Sequence, residues 1–167
     1  MARANPVFAL RPYLPPDTPM LAEIFRASVE ELTEDDYTPA QQEAWASLAD
    51  DLEEFAARLG KHLTLIATME GSAVGFISLD APTEIGLFYV HPAVAGQGVG
   101  AMLYGAVEKL SASRGTAHLT VDASDTAREF FASKGFTAEQ RNSVSVGNEW
   151  LSNTTMKKKF ADNEDTP

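Results

Sequence analysis

The chain has 167 residues, 44% of them hydrophobic and 22% charged, which is enough for one domain with its own core and the balance of an ordinary soluble protein. Its 13 Lys and Arg against 24 Asp and Glu give a net charge of −11, which disfavours nucleic acid and anionic membrane surfaces and favours cationic small molecules. Zero cysteines exclude disulfides, thiolate metal sites and a cysteine nucleophile; no apolar run is long enough to span a membrane, and Met1-Ala2-Arg3-Ala4-Asn5-Pro6 lacks an apolar signal core, so a cytoplasmic protein is expected.

Val7 to Leu14 reads as a first strand, ended by Pro15-Pro16. Asp17 or Thr18 can cap a first helix whose Leu21, Ile24, Phe25, Ser28 and Leu32 share one face. Thr33 to Tyr37 is an acidic loop. Thr38-Pro39-Ala40-Gln41 is a capping box with proline at the first helical position, opening a helix with Trp45 and Leu48. A further helical stretch with Leu52, Phe55, Ala56 and Leu59 ends at Gly60. The pattern then changes to strands: Leu63 to Met69 and Ala73 to Leu79 flank the hairpin signal Glu70-Gly71-Ser72, and Thr83 to Val90 follows.

Val90 leads through His91-Pro92 into a small-residue turn with Gly96, Gly98 and Gly100, then into a helix over Ala101 to Leu110. Strand, glycine loop and helix in that order describe an anion seat. Glycine lets the backbone curl and lets a ligand approach its N–H groups, and the first N–H groups of a helix have no internal partner. A protein this acidic repels a polyphosphate in general, which suits a site of backbone amides rather than a basic surface. The spacing matches neither a Walker loop nor a dinucleotide fingerprint. Beyond the loop, His118 to Asp122 is a strand, Ser124 caps a short helix that stops at Gly135, and Phe136 to Val146 with Glu149 to Phe160 form a hairpin across Gly147-Asn148 in a type II′ turn. Ala161 to Pro167 is expected to be a disordered acidic tail behind a single domain over residues 1–160.

Ala95-Gly96-Gln97-Gly98-Val99-Gly100 resembles the acetyl-CoA-binding motif of the GNAT superfamily of N-acetyltransferases, Arg/Gln-x-x-Gly-x-Gly/Ala, with Ala95 in place of the first residue. Ala127-Arg128-Glu129-Phe130-Phe131-Ala132-Ser133-Lys134-Gly135-Phe136 resembles the same family's A-x-x-x-(F/Y)-(Y/F)-x-x-x-G-F segment. Tyr37-Thr38-Pro39-Ala40-Gln41 with Trp45, and Trp150-Leu151-Ser152-Asn153-Thr154 with Met156 and Lys158, resemble a bacterial subgroup of it. The similarity covers roughly residues 7 to 160 and extends to the order of the elements. It implies an α/β fold with a central mixed, mostly antiparallel sheet of about seven strands flanked by about four to five helices. It also implies transfer of an acetyl group from acetyl-CoA to an amine, with no metal. Carried over by position, the backbone groups of Leu87, Phe88, Tyr89 and Val90 would meet the pantetheine, and Ala95 with the N–H groups from Gly96 through Gln97, Gly98, Val99, Gly100 and Ala101 the pyrophosphate. Ser124, Ala127, Phe130 and Phe131 would lie along the other side of the cofactor.

An ammonium must lose a proton before it attacks a thioester, and a carboxylate is a suitable base. Glu84, in Glu84-Ile85-Gly86-Leu87-Phe88-Tyr89-Val90, resembles the family's glutamate strand and is the leading candidate; Asp80 and Asp122 are alternatives. The thiolate needs a proton, and where many family members place a tyrosine this chain has Phe131. Tyr37 is the candidate on the acceptor side, as acid or as acceptor-site residue, with Tyr13, Tyr89 and Tyr104 remaining. Trp45 and Trp150 are candidates to wall the acceptor pocket or to anchor the core, and Glu34-Asp35-Asp36 to attract a cationic acceptor or simply to be solvated. His62, His91 and His118 lack metal-ligand spacing. Lys157-Lys158-Lys159 could meet a CoA phosphate or protect a sheet edge. Expected partners are a small-molecule or peptide amine and a second copy through the last hairpin, without nucleic acid or membrane. Ala95 and Phe131 keep open an alternative, an acyl-CoA sensor without catalysis.

Overall fold

The computed structural model describes residues 7–160, so the expectations for Met1–Pro6 and for the acidic tail at 161–167 lie outside it. The chain runs β1 (Phe8–Pro12), α1 (Thr18–Leu32), α2 (Pro39–Ala46), α3 (Leu52–Leu59), β2 (Leu63–Met69), β3 (Ser72–Ala81), β4 (Glu84–Val90), α4 (Val99–Ser113), β5 (His118–Ser124), α5 (Arg128–Ser133), β6 (Thr137–Val146) and β7 (Glu149–Lys159). The strands form one seven-stranded sheet in the order β1-β2-β3-β4-β5-β7-β6. Only β4 and β5 are parallel; the other pairs are antiparallel. This is the mixed, mostly antiparallel sheet with five α-helices that the sequence led us to expect. Among the described residues no helix is long and apolar enough to cross a membrane.

Period-two alternation sends each strand's apolar residues to two separate cores. Ile77, Leu79, Ile85 and Leu119 pack with Leu103, Val107 and Phe131 beneath α4 and α5, whereas Ile66, Phe76 and Leu87 pack with Leu21, Ile24, Phe25 and Phe55 beneath α1 and α3. The capping box at Thr38 forms as predicted: its Oγ1 accepts from the Gln41 N–H at 3.2 Å while Gln41 Oε1 accepts from the Thr38 N–H at 2.9 Å. Asp17 does not cap α1 with its side chain. Its carboxylate accepts from the Leu14 N–H at 2.9 Å and forks onto Arg11 at 2.7 and 2.8 Å, which lowers its pKa. Likewise Ser124 does not cap α5: its Oγ closes the preceding turn by accepting from the Ala127 N–H at 3.1 Å, and Ala127 is the N-cap. Gly147 at φ 59° has the sign that the predicted hairpin turn requires.

Two irregularities in the β3–β4 ladder position everything that follows. Ile77 pairs with Phe88 and Leu79 with Ile85, so Gly86 and Leu87 together face Ser78 alone; Ala81 then pairs with Glu84, which leaves Asp80 as an extra residue on β3. Extra residues bend a strand and re-aim its side chains. The Ser78 hydroxyl, wholly buried, fills the gap by accepting from the Leu87 N–H at 2.8 Å. The parallel ladder covers only Glu84 with Thr120 and Ile85 with Val121; beyond it β4 follows β3 and β5 follows β7. A gap opens between β4 and β5. Ser78→Ala should strand a buried N–H inside the bulge and cost about 1–3 kcal/mol, read as a lowered denaturation midpoint with an unchanged slope.

Candidate active site

A cavity of about 550 Å³ lies where β4 and β5 part, and Glu84, Tyr37, Phe88, Tyr89, Ser124, Ala127 and Phe131 all line it. Its charged lining is mainly acidic, with Glu54, Asp80, Glu84 and Asp122 against Arg58 alone, and its apolar lining includes Trp45, Leu48, Phe55, Val144 and Val146. Glu84 begins β4 and its side chain is exposed to this space. Asp122 is already engaged, since its Oδ1 accepts from the Thr155 hydroxyl at 2.6 Å.

The glycine loop sits at the other end of β4. His91 Nδ1 accepts from the Ala93 N–H at 3.0 Å and closes a short turn over Pro92–Val94, so His91 is a turn residue as its neighbour Pro92 suggested. Gly96 and Gly98 hold φ values of 79° and 85°, which L side chains rarely adopt, and both face open space. Gly98 is the N-cap of α4, and the Met102 N–H to Gly98 carbonyl bond at 3.0 Å closes the first helical turn. The N–H groups of Gly98, Val99, Gly100 and Ala101 therefore have no helical partner and can meet a phosphate. Ala95, Gln97 and Ala101 are exposed; the Val99 side chain is buried, so only its backbone is offered. The Gly100 Cα faces the Phe88 ring, with Phe130 and Val90 beyond, so Phe88 links loop and cavity.

Three aromatic side chains take positions that the sequence did not specify. Phe131 is buried in the core against Tyr104 and Phe136 and also lines the cavity, while Phe130 is the half-buried member of the pair. The Tyr89 ring turns to the opposite face of the sheet from Phe88 and Val90, stacking edge-on to Phe25 at 4.7 Å and Trp45 at 6.3 Å, so β4 offers only the backbone of Tyr89 on the loop side. Burial pushes its hydroxyl up to about 12. Trp150 is 64% exposed and lines no part of the cavity, leaving Trp45 as the tryptophan of the wall. Tyr104 is buried under α4 away from the cavity, and its pKa is raised, chiefly by burial. Of the lysine run, Lys158 pairs with Glu108.

Tyr37 is almost wholly buried, edge-on to Trp45 at 5.2 Å. Its hydroxyl donates to the Ser152 carbonyl at 2.6 Å and accepts from the Asp125 N–H at 2.9 Å, and burial raises its pKa. One phenol thus joins the loop after α1, the β5–α5 turn and the β6–β7 hairpin. Around it Asp36 accepts from the Thr126 hydroxyl at 2.8 Å and Arg141 forks onto Asp125 at 2.5 and 3.0 Å. The acidic loop is therefore partly tied down rather than simply solvated. Sequence reasoning missed Arg58, Ser78 and Arg141; each acts through a partner distant in the chain, and no local pattern marks them. Among the described residues no three His, Asp or Glu side chains gather in a way that could hold a metal ion.

Residues 33–160 match the family described as Acetyltransferase (GNAT) domain. An uncharacterized N-acetyltransferase, YafP, of Escherichia coli K12 is 31% identical over 150 residues, covering 90% of this chain and 95% of that protein. A crystal structure from Rhodopseudomonas palustris, titled a GCN5-related N-acetyltransferase and class-II aminotransferase, superposes with a TM-score of 0.89 at 57% identity over 96% of this chain and 99% of the other. The PaiA N-acetyltransferase of Thermoplasma acidophilum, solved in complex with coenzyme A, has a TM-score of 0.73 at 20% identity over 92% and 99%, a likeness of fold. Taken with the glycine loop, the parted strands and the carboxylate-lined cavity, these matches establish that the chain belongs to the GNAT family of acyl-CoA-dependent N-acetyltransferases.

Proposed function

We propose that the protein transfers the acetyl group of acetyl-CoA to a primary amine, with Glu84 as the base. The observation that carries this reading is the two-residue parallel ladder of β4 and β5: the gap beyond it joins an anion-binding helix start at one end to an acidic, aromatic cavity at the other. The loop N–H groups of Gly96 and of Gly98 to Ala101 would take the pyrophosphate, the Gln97 N–H being bonded to the Val94 carbonyl at 3.3 Å, and the free edge of β4 over Leu87 to Val90 the pantetheine amides. Phe88 and Phe130 would cover the chain between them. The coenzyme A bound by the Thermoplasma protein of the same fold is in keeping with a CoA thioester as the donor.

Glu84 would remove a proton from the bound ammonium. The freed nitrogen then forms its bond to the acetyl carbon while the carbon–sulfur bond breaks and the electron pair leaves on sulfur. Phe131 has no proton to give, and the Tyr37 proton is committed to the Ser152 carbonyl. The thiolate of an ordinary thiol, with a pKa of roughly 8.5, is a good enough leaving group to depart without a side-chain acid and to take, through water, the second proton that the nitrogen loses as it becomes an amide. Tyr37 acts as a positioning residue that holds Ser152 and the β5–α5 turn around the acceptor.

Three measurements test these roles. Glu84→Gln should lower kcat/KM for amine-dependent CoA release at least about tenfold, or roughly 1.4 kcal/mol, with the Kd for acetyl-CoA unchanged; acetyl-CoA binding with no release for any amine would instead favour an acyl-CoA sensor. Gly98→Ala forces an L residue into a left-handed conformation at a cost of about 1–2 kcal/mol and should weaken acetyl-CoA binding by calorimetry about tenfold. Tyr37→Phe keeps the ring and orphans the Asp125 N–H; it should cost about 1–3 kcal/mol of stability and raise the acceptor KM several-fold, with acetyl-CoA binding retained.

A further inference from the structure

The described residues hold four Arg–Asp pairs: two are forked, and two, the exposed Arg26–Asp50 contact at 3.5 Å and Arg58–Asp80, are single contacts. Arg11 meets Asp17 through two bonds of 2.7 and 2.8 Å, and Arg141 meets Asp125 through two of 2.5 and 3.0 Å. These are the planar forks that arginine forms when a pair is structural. Arg58 meets Asp80 through one bond of 3.2 Å, from Nη2 to Oδ2, and Asp80 Oδ1 is buried with no hydrogen-bond partner at all. This is the pair inside the cavity.

The position of Asp80 is built into the fold. It is the extra residue of β3, and its carboxylate lies flat on Gly86, the bulged residue of β4. Any Cβ at position 86 would come within 2.4 Å of the carboxylate carbon and both oxygens. Two strand irregularities and a glycine thus hold an anionic group in the acceptor cavity with half its hydrogen-bonding capacity unused. A carboxylate held at the cavity wall in this way favours a cation beside its accessible oxygen. Arg58, with 45% of its side chain exposed, is weakly held by a single exposed contact and is free to swing into solvent. Oδ2, which Arg58 meets, is the oxygen a replacing cation would bond, while Oδ1 stays buried against Gly86.

We propose that Arg58 is a place-holder: the acceptor is a cationic amine with a compact apolar body, and its ammonium takes the position beside Asp80 that Arg58 occupies in the free protein. This rests on reading the cavity as the acceptor site. The ammonium there lies at the β3–β4 end, where Glu84 also lines the wall, and the apolar body meets Trp45, Leu48 and Phe55. Glu54 and Glu84 have no salt-bridge partner among the described residues, so the wall attracts cations and repels acceptors bearing a carboxylate.

The test is an NMR titration of the full chain at neutral pH with benzylamine, which is then an ammonium, and with neutral benzyl alcohol of the same shape. Wild type should bind the amine at least about tenfold more tightly than the alcohol, and Asp80→Asn should reduce that ratio to within about twofold. Arg58→Gln separates the place-holder from a structural pair: it should strengthen benzylamine binding about threefold or more, because a competing cation is gone. Gly86→Ala, which keeps every charge but displaces the Asp80 carboxylate, should weaken it. The proposal is overturned if wild type binds amine and alcohol alike or binds neither, or if Arg58→Gln weakens binding as Asp80→Asn does. Spermidine binding more tightly than benzylamine would overturn the apolar body. A parallel acetyl-CoA titration reports on the acetyl-transfer reading separately, since amine binding at Asp80 does not require CoA.

Discussion

The molecule depends on a mismatch of register between two neighbouring strands. β4 carries one residue too many opposite Ser78, and β3 carries one too many at Asp80, so the ladder bends twice within a few residues. β4 keeps β5 for only two paired positions, beside these irregularities, before the strands separate. Backbone groups left over by a broken ladder must find other partners or face a ligand. The Ser78 hydroxyl satisfies one of them, and the rest of the exposed edge faces the gap. Without the bulges the sheet would close, and neither the loop nor the cavity would have anything to connect.

The two faces of the sheet divide the work. The side under α4 and α5 is an apolar core whose aromatic members Phe88 and Phe130 lean toward the glycine loop. The side under α1 to α3 is an aromatic cluster of Phe25, Phe55, Phe76 and Tyr89, with Trp45 at the cavity wall. A net charge of −11 would keep a polyanion away if recognition relied on surface charge. Oriented amides at a helix start avoid that conflict, since they attract an anion at short range and add no net charge. The same acidic balance suits the other end of the gap, where we propose that a cationic amine binds.

The far wall of the cavity is assembled by hydrogen bonds across long stretches of chain. Tyr37, Asp125, Ser152 and Arg141 come from four separate segments, and one buried phenol accepts from one and donates to another. Gln41 adds a bond from its amide to the Trp150 carbonyl at 2.8 Å, tying α2 to the hairpin. Such a network rigidifies a site when every member is satisfied; among the described residues the buried side-chain oxygens without a partner are Asp80 Oδ1, on the opposite wall, and the Tyr104 hydroxyl in the α4 core.

The local patterns were legible in the sequence because their causes are local. The Thr38 capping box, the strand–glycine–helix order around Gly98 and the hairpin at Gly147 each follow from residues within a few positions of one another, and each forms. Glu84 could be placed at the head of its strand for the same reason. Which way a side chain turns depends instead on register, and register is a property of two strands. The Tyr89 ring lies with the α1–α3 core, Phe131 is drawn into the core, and Trp150 stands at the surface because the sheet and its bulges assign their faces. The amino-acid sequence by itself determined the elements, their order and the anion-binding loop, since short-range sterics and unpaired helix N–H groups dictate these. Only the tertiary structure decided that Asp80, Gly86 and Arg58 would meet, because that contact requires two strands to fall out of register and a helix to lie across them.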